Sequence, residues 1–77
     1  MLNPDQTLDT YYLEARRDLL EVAALLDRYD EATQRTGAPA ENEALLHTIR
    51  QAMGHLADPE SPAGNHTKAL LELFAEN

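Results

Sequence analysis

The chain has no cysteine. Disulfide staples and thiolate metal sites are therefore excluded, and the redox compartment stays open. This matters for a chain of 77 residues. A domain that short buries only about 60% of its unfolded surface, and it needs a metal, oligomerisation or tight helix packing once disulfides are gone. Basic side chains are also scarce: six Lys and Arg stand against fourteen Asp and Glu, for a net charge of −8. Such a surplus argues against a nucleic-acid backbone or an anionic membrane as partner. It is compatible with a basic protein partner, with cation binding, or with solubility alone.

Other absences narrow the class further. No stretch approaches the roughly 20 apolar residues that a membrane span requires. The opening MLNPDQTLD lacks the basic and apolar regions of a secretory signal, so a cytoplasmic protein is expected. One Ile and one Val are the only β-branched aliphatics, and no segment shows strand alternation bounded by hairpin signals. Leu and Ala dominate instead, which favours helices. There is no internal repeat and no low-complexity tract.

Three helical segments are predicted, over about 4–35, 40–57 and 65–75, forming one all-α domain. The expected architecture is a small three-helix bundle or antiparallel helical hairpin that dimerises. The first segment carries a complete start signal. Asn3 suits the N-cap, Pro4 the first helical position, and Gln6 the place where a capping box takes Glu or Gln. Asp5 and Asp9 complement the positive end of the helix dipole. After Pro4 no Gly or Pro interrupts the chain until Gly37, which suits a left-handed C-terminal cap behind Arg35. At 1.5 Å per residue such a helix is about 48 Å long, against a diameter of about 30 Å for a compact domain of this size.

The second segment follows Thr36-Gly37-Ala38-Pro39, with Leu45, Ile49, Ala52 and Leu56 at helical spacing, flanked by Leu46 and Met53. Gly54 within it costs near 1 kcal/mol relative to Ala, unless a neighbour approaches closely there. Asp58-Pro59 ends it, because a residue before Pro avoids the helical region. The third segment starts at Ser61-Pro62 or at Asn65, and Ala69, Leu70, Leu73 and Phe74, with Leu71, form its apolar face.

The first segment holds the richest pattern. Leu8, Tyr12, Ala15, Leu19, Val22, Leu26 and Tyr29 recur at alternating steps of four and three, a heptad-like seam. Around Leu19–Leu26 the apolar residues spill beyond it, and a helix apolar on several faces has to be covered on several faces. Leu13, Leu20 and Ala24 form a second strip, about 100–140° from Leu19 on the helical wheel, with Leu25 on the other flank. The seam is expected to serve the chain's own second and third helices, and the strip a partner. Three of the four aromatics, Tyr11, Tyr12 and Tyr29, lie on this segment, and Tyr is favoured at interfaces for combining contact area with a polar tip. The predicted interface is therefore Leu13, Leu20, Ala24, Leu25, Tyr11 and Tyr29.

Reactive constellations are thin. Glu14 and Asp18 stand at i,i+4, where two carboxylates repel slightly and can bind a cation or share a proton. Arg16 and Arg17 lie beside them, so a solvated, ion-paired face is the simpler reading. Glu43 and His47 are also at i,i+4, whereas bundle di-metal sites use Glu-x-x-His. His47 projects opposite the Leu45–Ile49–Leu56 face, and His55 lies on its flank. Glu14, Asp18, Glu43 and His47 are thus the metal candidates, and they need a second subunit to converge. Ser61 is the only serine and lies between two prolines without a nucleophile elbow, and the three glycines are isolated. No cofactor and no enzymatic activity are expected. The favoured function is a self-associating helical interaction or scaffold module, a homodimer with room for a further protein partner. A metal-binding bundle assembled across subunits, and an acidic inhibitor-like partner of a basic protein, are the alternatives.

Overall fold

The computed structural model describes residues 1–76 and is all-helical, with three helices and no strand among the described residues. The chain divides into two compact units, Met1–Pro39 and a second beginning at Ala40.

The first unit is helix α1, Pro4–Thr36, with its two caps. Its start is the predicted capping box. The Gln6 N–H donates to Asn3 Oδ1 at 2.8 Å, and the Asn3 N–H donates to Gln6 Oε1 at 3.0 Å. Two of the donors that every helix start leaves open are thereby satisfied, with Pro4 filling a place where an N–H is dispensable. The Thr7 hydroxyl adds a bond to the Asn3 carbonyl at 2.9 Å. At the other end Gly37 takes the left-handed conformation, φ 78° and ψ 9°, and its N–H donates to the Thr33 carbonyl at 2.8 Å. The Thr36 hydroxyl lies within hydrogen-bonding distance of the Ala32 and Ala38 carbonyls. With 33 residues, α1 is about 50 Å long. No residue of α1 is buried.

The second unit pairs helix α2, Ala44–Ala57, with helix α3, His66–Ala75. Helix α2 starts later than the predicted position 40. The Asn42 side chain accepts the Ala44 N–H at 2.9 Å, a local bond that competes with helical pairing and sets the start beyond it. The predicted stop holds: Asp58 is extended, φ −79° and ψ 114°, ahead of Pro59. The Asp58 carboxylate then accepts the Glu60 N–H at 2.9 Å, and the Ser61 hydroxyl donates to the His55 carbonyl at 2.9 Å, closing the end of α2. Of the two predicted starts for the third helix, the chain uses Asn65.

Among the described residues, Thr48 and Ala52 are the buried pair, one turn apart on α2. The Thr48 hydroxyl is satisfied by the Ala44 carbonyl at 3.0 Å, so its burial leaves no orphaned group. Leu46, Ile49 and Met53 on α2, and Ala69, Leu70 and Leu73 on α3, are half-buried. The expected face is thus used only in part. Leu45 and Leu56 remain exposed, because they sit in the first and last turns of a 14-residue helix whose partner has 10 residues. Phe74 and Leu71 are also exposed.

Two glycines behave oppositely. Gly54 sits within α2, and a Cβ added there meets nothing within 4 Å, so no close approach requires it. Gly54→Ala is expected to stabilise the fold by about 0.5–1 kcal/mol in urea titration. Gly37→Ala, forced into the left-handed region, is expected to destabilise by about 1–2 kcal/mol in the same measurement.

Candidate interaction surface

The apolar rows of α1 are the principal surface. On the heptad frame set by the four-three spacing, Tyr12, Leu19 and Leu26 occupy a positions, and Leu8, Ala15, Val22 and Tyr29 occupy d positions. Along this seam Leu8, Tyr12 and Leu19 are 70%, 63% and 64% exposed. Val22, Leu26 and Tyr29 are half-buried. The second strip is exposed to a similar degree, with Leu13 at 71% and Leu20 at 55%, while Ala24 is half-buried. Tyr11 and Leu25, at g positions beside the seam, are exposed too. Seam and strip, which the sequence distinguishes by destination, are therefore not distinguished by exposure.

Geometry separates them. Tyr12, Ala15, Arg16 and Leu19 stand at i, i+3, i+4 and i+7, the diamond that receives a partner's side chain in knobs-into-holes packing. Together with Leu20 they line an open, mainly apolar depression of about 400 Å³. Ala15 supplies the small side chain that leaves the space. The strip presents only three apolar residues before Asp27 and Glu31 interrupt its side of the helix.

The charges around these rows are solvated. Arg17 pairs with the adjacent Asp18 at 3.3 Å, rather than with Glu21 one turn on, and both side chains are about two-thirds exposed. Arg35 pairs with Glu31 at 3.6 Å. Pairs this exposed contribute no more than about 1 kcal/mol each. Among the described residues, neither the Arg16 guanidinium nor the Asp30 carboxylate has an ion-pair partner.

Metal chemistry finds no support within a unit. Glu14 is exposed, and Asp18 is engaged by Arg17. Glu43 precedes the first turn of α2, where its carbonyl accepts the His47 N–H at 3.0 Å, and His47 points to solvent. No group of three His, Asp or Glu side chains able to hold an ion occurs among the described residues. The sequence reading missed one juxtaposition. His55 and His66, eleven positions apart, line the same crevice with Ser61, Pro62, Asn65 and Ala69. The crevice has no room for a water molecule. It is a packed corner between α2 and α3, signalled in the sequence only by the short Pro- and Gly-bearing connection. No protein-family model matches the chain, and neither does any curated protein or solved structure.

A protein purified without an affinity tag is expected to carry no transition metal by inductively coupled plasma mass spectrometry. One ion per chain or per chain pair would contradict that expectation and return Glu14, Asp18, Glu43 and His47 to candidacy.

Proposed function

We propose that this chain is a small acidic interaction or scaffold module that self-associates through α1, with no catalytic role. In this reading the helical bundle is completed by a second copy, so the working unit is a homodimer. One observation carries it: a 33-residue helix with no buried residue displays large apolar side chains along most of its length. Helices in water owe most of their stability to packing of an apolar face against something else. Fully burying a Leu side chain contributes about 1.5–3 kcal/mol, so exposed Leu19 in the seam and Leu25 beside it represent a substantial unrealised stabilisation.

The four-three spacing supports a helix as the covering element, since that spacing keeps one stripe aimed at a neighbouring helix. Tyr11 and Tyr12 add the residue type enriched at protein interfaces. The acidic surface keeps separate assemblies apart and limits association to this stripe.

Sedimentation equilibrium at high micromolar concentration is expected to return twice the chain mass. Leu19→Glu is expected to return the chain mass, or to lose helicity with it. A strict monomer for the unaltered chain overturns the reading. A dimer that survives Leu19→Glu but not Leu20→Glu would move the contact from the seam to the strip.

A further inference from the structure

From the charges beside the seam, and on the reading that α1 self-associates, we infer that two α1 helices pair antiparallel, with Arg16 of each facing Asp30 of the other. Both residues are exposed, lack an ion-pair partner among the described residues, and occupy e positions at the edge of the seam. In an antiparallel pair, e positions face e positions and g positions face g positions across the contact. Asp9, Arg16, Ala23 and Asp30 are the e residues, and Tyr11, Asp18, Leu25 and Ala32 are g residues.

One register pairs opposite charges. When Ala23 faces the partner's Ala23, Arg16 faces the partner's Asp30, and the twofold axis repeats the pair. The core layers are then Val22 with the partner's Leu26, Leu19 with the partner's Tyr29, Ala15 with the partner's Thr33 and, outermost, Tyr12 with the partner's Thr36, each occurring twice. On the other edge Leu25 meets the partner's Leu25. Arg16 already lines the depression with Tyr12, Ala15, Leu19 and Leu20. The guanidinium is thus placed beside the space that a partner's side chain fills.

The alternatives are poorer in charge. Sliding the pair by one heptad toward the N-termini brings Asp9 against the partner's Asp30 and Leu25 against the partner's Asp18. It re-pairs the core as Leu19 with the partner's Val22, Ala15 with the partner's Leu26, Tyr12 with the partner's Tyr29 and Leu8 with the partner's Thr33, so that Leu8 enters in place of Thr36 near a helix end, where helices fray. A parallel pair sets g against the following e of the other helix: Tyr11 with Arg16, Asp18 with Ala23, Leu25 with Asp30. None of these joins opposite charges, and the last buries an apolar edge against a carboxylate. Antiparallel pairing also sets the two helix dipoles in opposite directions, the favourable arrangement for dipoles side by side.

The absence of cysteine makes the test simple, since Thr10→Cys creates a single thiol on the outward side of α1. Spin-labelled there, the two chains of the antiparallel dimer are expected to show a double electron–electron resonance distance of about 47 Å, combining about 42 Å along the axis at 1.5 Å per residue with about 22 Å across the width of two helices. A distance below about 30 Å, the width of two helices with no axial offset, means parallel helices and overturns the proposal. A distance of about 38 Å or about 57 Å means a shift by one heptad and overturns the Arg16–Asp30 pairing. Absence of any dipolar coupling, with a monomeric mass, overturns self-association itself. Charge exchange gives an independent readout. Arg16→Asp or Asp30→Arg alone is expected to weaken association roughly tenfold, and the double exchange to restore it. A double exchange as weak as either single one overturns the pairing, because residues two heptads apart do not compensate in a parallel dimer.

Discussion

The uncovered apolar face of α1 is the constraint on which the rest of this molecule turns. A long helix in water gains little from its own hydrogen bonds, since those exchange with bonds to water. What fixes it is the removal of an apolar stripe from solvent. Helix α1 has strong ends, a capping box at Asn3–Gln6 and a left-handed glycine at Gly37, but no buried residue between them. Caps contribute about 1 kcal/mol each and define where the helix stops; they do not replace a core.

The second unit shows what coverage by a short partner achieves. Helix α3 lets α2 bury Thr48 and Ala52 and half-bury Leu46, Ile49 and Met53, yet Leu45 and Leu56 stay in water. Ten residues do not shield fourteen. Applied to α1, the same principle makes a helix of equal length the most economical cover, and a second α1 is such a helix. The proposed antiparallel pair combines that length match with a pairing of two opposite charges beside the seam, Arg16 and Asp30.

Local features were legible in the sequence because local chemistry decides them. Asn3, Pro4 and Gln6 act within one turn, Gly37 acts through its own φ, and Asp58-Pro59 acts through a steric clash between neighbours. The start of α2 was misplaced because Asn42 uses its side chain to hold the Ala44 N–H, and residue type alone does not say whether an Asn will do so. Coverage was the harder question. Leu45 and Ile49 carry the same periodic signal, and only the length of the facing helix separates them. The meeting of His55 and His66 depends on the path of the intervening loop, which no spacing rule specifies. For the candidate surface, the seam and strip of α1 were visible as patterns. A heptad reads the same whether its cover comes from its own chain or from a second copy.

If association supplies the missing core, stability has to depend on concentration, since a partner that binds the folded chain stabilises it by mass action. Thermal unfolding followed by circular dichroism across a hundredfold range of protein concentration tests this most directly. The account predicts a Tm that rises by about 3–5 °C for each tenfold increase. A Tm unchanged over that range, with the chain monomeric throughout, would contradict it.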